Sequence, residues 1–391
     1  MRSIDILIAG GGLAGSTAAA MLARDGHDVA LVDPHPVYPP DLRCEKLDGR
    51  QVELLRRTGL ADPVLAAGTF DGECWVARFG RVVERRPGDQ YGLLYDTLVN
   101  TVRAAIPAQV PFITGTVSAI AGVGDRQLVT LSNGDVLCVR LVVIASGLNT
   151  GLRRGLGMVR DNVSRCHCVT FAFDLQPLGR GQFPFGALTY YGERTADRVA
   201  YLTLFPVGSS MHANLMVYRR PDDPWLLEMR RQPERTLSWT MPRLGRVLGR
   251  FEVVGPVKAR PADLYMTRNF LQPGIVLVGD AFATSCPAAG TGANKVFTDV
   301  ERLCHAHVPR WLASRGMGVE KIAAFYADPA KLACDRHSWD KAFKLRSDSI
   351  EDGLPWRARR WVRFLGRLTI GAGRRALPGV NSRAPRGEAQ A

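Results

Sequence analysis

Three glycines and two acids have the spacing of a site that holds a diphosphate. Gly10, Gly12 and Gly15 follow the apolar run Ile6-Leu7-Ile8-Ala9, enclose Leu13 and Ala14, and open the Ala-rich segment Ser16 to Arg24. A strand that enters a helix through such a turn leaves the first helical N–H groups unpaired at the positive end of the helix dipole, where anions bind. Gly10 reads as the tight turn, Gly12 as the position with no Cβ to block a pyrophosphate, and Gly15 as the close helix–strand contact. Asp33 ends the next strand, Val29-Ala30-Leu31-Val32. A carboxylate there accepts both ribose hydroxyls and repels a 2′-phosphate, which favours FAD or NAD over NADP. The second acid, Asp280, ends the buried run Gly274-Ile275-Val276-Leu277-Val278-Gly279 and precedes a loop with Pro287, Gly290 and Gly292 that leads into a helix through Ala293 and Asn294.

Elements of two kinds must position these residues. The 391 residues, 46% of them hydrophobic, suffice for a dinucleotide domain interleaved with a second, substrate-covering domain. After Asp33, Pro34 to Pro40 form a stiff loop, and a helix through Val52, Leu54 and Leu55 closes at Gly59. Gly72 to Arg86 has strand composition with a turn at Phe79-Gly80-Arg81, and Tyr91 to Ala105 reads as a helix. Phe112 to Ile120, Gln127 to Leu131 and Val136 to Ile144 read as three strands, the last two joined by Asn133-Gly134 and the third running out at Ala145-Ser146-Gly147. Residues 165–220 alternate apolar and polar, the mark of an antiparallel sheet with one covered face, and Pro224 to Gly249 is helical.

The fold expected is therefore α/β: a Rossmann-like domain of parallel sheet plus β-meander, interleaved with an antiparallel-sheet domain and followed by C-terminal helices. The expected boundaries are 1–70, 90–160 and 255–310 for the FAD-binding part and 71–89 and 161–254 for the substrate part. Residues 311–376 are expected to be helical and 377–391 a disordered tail.

Composition narrows the setting. The net charge of +14 reads as a solvated basic surface, with no nucleic-acid motif to use it. With no basic leader and no run of eighteen apolar residues, the chain is expected to be soluble and cytoplasmic. The eight cysteines are scattered and read as reduced thiols. In a strand, Cys166 and Cys168 share one face and His167 points away, so Arg165-Cys166-His167-Cys168 reads as core thiols, and no metal is expected.

Three separated segments together make the chain similar to the class A flavoprotein monooxygenases with the para-hydroxybenzoate hydroxylase type of fold, over residues 4–310. They are the glycine motif ending in Asp33, Arg43 ahead of a helix, and Gly279-Asp280-Ala281 followed in register by Pro287, Gly290, Gly292 and Asn294. The resemblance implies noncovalent FAD, with Arg43 on the flavin, Asp280 on the ribityl chain, the Gly290 to Asn294 turn against the isoalloxazine ring, and Val117, Ser146 and Gly147 among the remaining contacts. Unpaired N–H groups at that helix start suit the negative charge of a reduced flavin.

Two departures touch mechanism. Where the family has an Asp-Gly pair tied to nicotinamide binding, this chain has Ser146-Gly147, and Cys286 replaces the first proline of the usual pair. Ser146-Gly147 and Cys44-Glu45-Lys46-Leu47 resemble the related halogenase and prenyl reductase branch, but Trp239-Thr240-Met241-Pro242 matches only half of the halogenase motif. The resemblance implies insertion of one oxygen atom of O2 into an aromatic, polyketide or prenyl-type substrate through a flavin C4a-hydroperoxide, with electrons from NAD(P)H or a partner flavin reductase. The alternatives are halogenation, reduction or dehydrogenation of a lipid or natural product, or a flavoprotein acting only as a binding partner. No catalytic acid or base is assigned. His167, Tyr190, Tyr191, His212 and Tyr218 lie in the expected sheet, and Cys286 reads as a small filler or a functional thiol. Finally, Trp361, Phe364, Leu365 and Leu368 line one side of a helix rich in arginine (Arg359, Arg360, Arg363, Arg367). This helix is read either as docked on the flavin domain or as a peripheral contact with the inner face of a membrane.

Overall fold

The N-terminal apolar run becomes β1 (Arg2–Ala9), and its flanking strands bury Ile4, Ile6, Leu7 and Ile8. The computed structural model describes residues 2–179 and 181–376. β1 passes through α1 (Leu13–Arg24) to β2 (Val29–Asp33), and this helical crossover lets β1 and β2 pair in parallel. The short β3 (Lys46–Leu47), α2 (Gly49–Arg57), α3 (Ala61–Ala67) and β4 (Thr69–Phe70) follow. The hairpin β5 (Glu73–Arg78) and β6 (Arg81–Pro87) turns at Phe79 and Gly80, both at positive φ (53° and 71°). Next come β7 (Tyr91–Gly92), α4 (Tyr95–Ala104), β8 (Phe112–Thr114), β9 (Val117–Val123), β10 (Arg126–Leu131) and β11 (Val136–Ile144). The expected helix from Tyr91 thus starts at Tyr95, because Tyr91–Gly92 pairs with β3 and β4. The expected single strand 112–120 is broken at Gly115 (φ 155°), so its first part pairs with β2 and its second with β10.

The chain then crosses through α5 (Gly151–Gly155) into β12 (Val159–Pro177), β13 (Ala187–Tyr191), β14 (Val199–Val207) and β15 (Ser210–Val217). Helices α6 (Trp225–Arg231), α7 (Pro233–Thr240) and α8 (Gly245–Leu248) cover one face of this second sheet, and β16 (Phe251–Arg268) returns along β12. Alternation is the cause of the two faces. Phe171, Phe173, Leu202, Leu204, Leu215 and Val217 pack under the helices, while Thr170, Tyr201, Thr203, Asn214 and Met216 face the other way. β16 differs from expectation: residues 255–268, assigned to the first domain by sequence, are paired into the second sheet as far as Arg268 with Val159. Its sequence carries Pro256 and Pro261 and half-exposed positions, so no clean alternation announces it.

β17 (Ile275–Leu277) re-enters the first sheet beside β11, and α9 (Gly292–Glu301), α10 (Val308–Leu312), α11 (Val319–Tyr326) and α12 (Pro329–Ile350) complete the chain's body. Among the described residues the first sheet has the order β8-β2-β1-β11-β10-β9 with β17 on β11, and the second β16-β12-β15-β14-β13-β5-β6. A buried ion network ties α12 to the end of β17. Lys331 Nζ donates to Asp299 (2.8 Å) and Asp335 (3.1 Å), Lys295 pairs with Asp335, and Asp299 accepts the Gly279 N–H (3.0 Å).

α13 (Leu354–Ala376) rests on the β5–β6 hairpin of the second sheet, not on the flavin domain, with Phe79 meeting Trp361 (6.1 Å) and Phe364 (5.4 Å). The expected disordered tail, 377–391, lies outside the described residues. No helix among the described residues is long and apolar enough to cross a membrane.

Candidate functional site

The glycine turn separates glycines needed by the protein itself from one that is not. A Cβ on Gly10 would lie 2.6 Å from the Ala145 carbonyl oxygen, and one on Gly15 would lie 1.8 Å from the Gly10 oxygen. A Cβ on Gly12 meets nothing closer than Tyr38 Cε2 at 3.9 Å. Internal packing therefore dictates Gly10 and Gly15 but leaves Gly12 facing open space, as required where a diphosphate closes on the backbone. No side chain caps α1 and its first turn holds no acid, so its start is free for an anion. Leu13 lines the cavity described below, and Ala14 is buried beneath it. Asp33 is more engaged than its sequence role suggests: it accepts the N–H of Gly11 (2.6 Å) and of His35 (2.9 Å) and pairs with Arg103 (3.1 Å). A carboxylate has about four lone-pair positions, so room remains for a ribose hydroxyl. Arg103, whose Nε also donates to Gly11 O (2.8 Å), was not singled out from sequence.

A cavity of about 360 Å³ lies between the start of α9 and the polar face of the second sheet. From the predicted set it gathers Leu13, Arg43, Asp280, Pro287, Gly290, Gly292 and Ala293. Arg43 donates to Asp280 (2.7 Å) and Asp41 (2.7 Å), joining two residues that sequence had placed on the cofactor separately. Gly290, at φ 61°, turns the chain into α9, whose N-cap Thr291 makes no capping bond; its hydroxyl pairs with Ser338 instead (2.7 Å). Gln51 holds this turn, donating to Gly290 O (2.9 Å) and Asn294 Oδ1 (3.0 Å) while its Oε1 accepts the Asp48 N–H. Asn294 thus supports the turn and does not line the cavity. The Asp48-x-x-Gln51 capping pattern was the available signal for Gln51.

Ser146, Gly147 and Val117 also stand outside the cavity. Ser146 Oγ donates to Asn149 O (3.1 Å), Gly147 is at φ 56°, and Val117 opens β9 opposite Leu131. The Ser146–Gly147 loop is held by Arg153, 2% exposed, which donates to Gly147 O (3.0 Å), Asn149 O (2.9 Å), Thr267 Oγ1 (2.9 Å) and Ala281 O (2.6 Å). One guanidinium so fixes the ends of β11 and β17 together with β16.

The cavity wall opposite α9 carries an acid held by two donors. Glu45 Oε2 accepts from His212 Nε2 (2.9 Å) and Asn214 Nδ2 (2.7 Å), and no donor among the described residues reaches Oε1. His212 Nδ1 pairs in turn with Asp174 (2.6 Å), the residue opposite it across β12 and β15. Burial works against a charged ring, but the hydrogen bonds to Asp174 and Glu45 outweigh it and hold the His212 pKa up at about 9. Beside Glu45, Lys46 donates to Gln90 Oε1 (2.9 Å) and Thr203 Oγ1 (3.0 Å), and burial lowers its pKa. Of the sheet residues named from sequence, His212 joins this cluster. Tyr190 is a core residue bonded to Glu193 (2.7 Å), Tyr191 lines a separate cavity under α13, and His167 and Tyr218 pack behind the α9 loop. Trp239, from the half halogenase motif, is 65% exposed and away from the cavity.

Residues 3–82 match the model of a family described as "FAD binding domain". The chain is 28% identical over 322 residues to 3-demethoxyubiquinol 3-hydroxylase of Escherichia coli K12, covering 76% of this chain and 78% of that protein. Its structure is similar to p-nitrophenol 4-monooxygenase PnpA of Pseudomonas putida DLL-E4, at TM-score 0.72 and 16% identity over 97% of this chain and 96% of that one. It is also similar to the flavin-dependent brominase Bmp2, at TM-score 0.68 and 18% identity over 94% of each chain. The chain has the class A flavoprotein monooxygenase and halogenase fold and is an FAD-binding oxidoreductase.

Two outcomes follow from this geometry. Gly12→Val should emerge colourless yet melt at the temperature of the flavin-free parent chain, whereas Gly15→Val, whose Cβ would lie 1.8 Å from the Gly10 oxygen, should lower the yield of folded protein; absorbance of the bound flavin and thermal melting distinguish the two. The His212 contribution to stability is complete below the ring's ordinary value of 6.5 and is lost as pH rises through about 9. Urea unfolding from about pH 6 to about pH 10 should therefore show a decline on the order of a few kcal/mol that His212→Gln removes.

Proposed function

We propose that this chain is an FAD-dependent monooxygenase that hydroxylates a phenolic or quinol ring. The observation that carries this reading is the position of Glu45, held by His212 and Asn214, in the same cavity as the uncapped start of α9. FAD, when bound, supplies the two-electron activation of O2 and the transfer of one oxygen atom. The residues present fit it: the open face of Gly12, the free helix starts of α1 and α9, and the Arg43–Asp280 pair. The protein's own task is then to bind the ring, exclude water and manage one proton. Glu45 accepts the proton of a ring hydroxyl at its free oxygen, which makes the ring richer in electrons for attack on an electrophilic oxygen. His212, kept cationic between Asp174 and Glu45, and the Asn214 amide fix that carboxylate in place. Lys46 and Thr203 flank the same wall and select a polar ring edge, while Met216, Tyr201 and Leu42 offer apolar contact. The names of the E. coli relative, a quinol hydroxylase, and of PnpA, a nitrophenol monooxygenase, support an aromatic substrate.

We propose further that electrons enter from a separate flavin reductase more readily than from free NAD(P)H. Ser146 is neutral and turned onto Asn149, so the loop presents no acid to a nicotinamide. We also propose that α13 meets an anionic membrane surface as a peripheral element. Trp361 and Leu365 are each 55% exposed and Val362 is 70% exposed on a helix that carries arginines, in a chain of net charge +14.

Glu45→Gln should retain FAD and ring binding but lower kcat roughly 100-fold or more, since it keeps the shape and removes the base. Substrate-dependent oxygen consumption measures this, and an unchanged kcat would remove the proton role. Sedimentation of the full chain with phosphatidylserine vesicles should show salt-sensitive binding that Trp361→Glu and Leu365→Glu abolish. A protein left in the supernatant at low salt makes α13 a packing element only.

A further inference from the structure

The Arg165-Cys166-His167-Cys168 segment does not lie as a regular strand. Pairing of β12 with β16 shifts register between Ser164 and Cys168, and Cys166 takes φ 41°. The alternation that sequence suggested, with His167 turned away from the cysteines, is thereby broken. His167 and Cys168 both reach the loop before α9, where Cys286 stands in place of the family proline. The two sulfurs are 3.7 Å apart and both residues are fully buried from bulk solvent, yet Cys286 lines the cavity in which oxygen would be activated. The hydroxyl of Tyr218 packs into the same cluster and has no hydrogen-bond partner among the described residues, although it is buried. An orphaned donor beside a thiol pair is costly in a purely structural core and is explained by a group that arrives there. Hydrogen bonding from Cys168 outweighs burial and, with the His167 ring, holds the Cys286 thiol well below its ordinary range.

We propose that Cys286 is a peroxide-reactive thiol and Cys168 its resolving partner, so that hydrogen peroxide in the cavity is consumed with formation of a Cys168–Cys286 disulfide. In the first step the Cys286 sulfur attacks one oxygen of H2O2; an S–O bond forms, the O–O bond breaks, and the departing hydroxide takes a proton and leaves as water. In the second, the Cys168 sulfur attacks the sulfenic acid; the S–S bond forms, the S–O bond breaks, and hydroxide leaves with the Cys168 proton as a second water. Two thiols lose two electrons and one peroxide gains them. An external dithiol restores the pair. In this scheme the partnerless hydroxyl of Tyr218, in the same cluster, donates to the oxygen that remains on Cys286 after the first step. The sulfurs must close from 3.7 Å to about 2.05 Å, and the bond then joins β12 of the second sheet to the turn that leads into α9. This rests on the monooxygenase reading only for an internal source of peroxide, because a flavin that activates oxygen without substrate releases it. The thiol chemistry itself is tested with added peroxide.

The experiment treats the FAD-loaded full chain with a small excess of H2O2 under anaerobic conditions, quenches with an alkylating agent and maps the thiols by mass spectrometry. Expected are the loss of two of the eight free thiols, a peptide linked through Cys168 and Cys286, and reaction at Cys286 about tenfold or more faster than at buried Cys304. In Cys168→Ser the reaction should stop at a dimedone-reactive sulfenic acid on Cys286, and in Cys286→Ala Cys168 should stay reduced. Oxidation of Cys286 no faster than that of Cys304, or a disulfide between other cysteines in the unsubstituted chain, overturns the proposal whether or not the variants fold. Failure of substrate hydroxylation with the linked peptide still formed would overturn the functional reading and leave this one standing.

Discussion

Three backbones meet at one point, and the rest of the molecule is arranged around their contact. Gly15 lies so close to the Gly10 carbonyl, and Gly10 to that of Ala145, that no side chain fits at either position. This approach brings the start of α1 against the ends of β1 and β11 and aims its unpaired N–H groups outward. A helix end so exposed is a liability unless an anion completes it. The second uncapped helix start, that of α9, faces the same side, reached through the Gly290 turn and held by Gln51. Two positive helix ends beside the parallel strands of one sheet have the electrostatics that suit a long anion.

The two sheets could not share a cavity if their ends were free to shift. Arg153 prevents this by collecting carbonyls from the Ser146–Gly147 loop and Ala281 together with the Thr267 hydroxyl of β16. On the far side, Asp299 receives the Gly279 N–H while its other oxygen takes Lys331. Both buried cations have several partners, which is what makes their desolvation tolerable. Removing either would leave carbonyls or carboxylates unpaired at the segment that carries Asp280. The long pair β12 and β16 runs from this joint along the second sheet, so Asn214 and Thr203 are set by continuous hydrogen-bonded backbone, and Glu45 is fixed to them through the side chains of His212 and Asn214. The relative positions of the polar groups in the cavity are a consequence of that rigidity.

Much of this was legible in the residues because it depends on neighbours in the chain. The Gly10 to Asp33 segment, the Asn133-Gly134 hairpin, the alternation of the second sheet and the Asp280 to Asn294 run are local patterns of turn chemistry and periodicity. They carried the fold class, and six of the residues they singled out, Arg43, Asp280, Pro287, Gly290, Gly292 and Ala293, line one cavity. Local patterns misled where the backbone departs from regularity. The bulge at Cys166 turned His167 toward the thiols, Gly115 split one strand into two, and the prolines of β16 hid a strand of eighteen residues.

The sequence by itself determined the glycine turn and the helix start that follows it, since a turn and the helix after it involve only a few consecutive residues. What only the tertiary structure decided is which distant side chains meet around the cavity. Glu45 and His212 are 167 positions apart, Cys168 and Cys286 118, and Arg153 and Ala281 128. No periodicity encodes such pairs, because they arise from the way two sheets are stacked and joined. Each residue alone reads as a core or surface side chain, and it acquires a role only when the fold supplies its partner and removes the water between them.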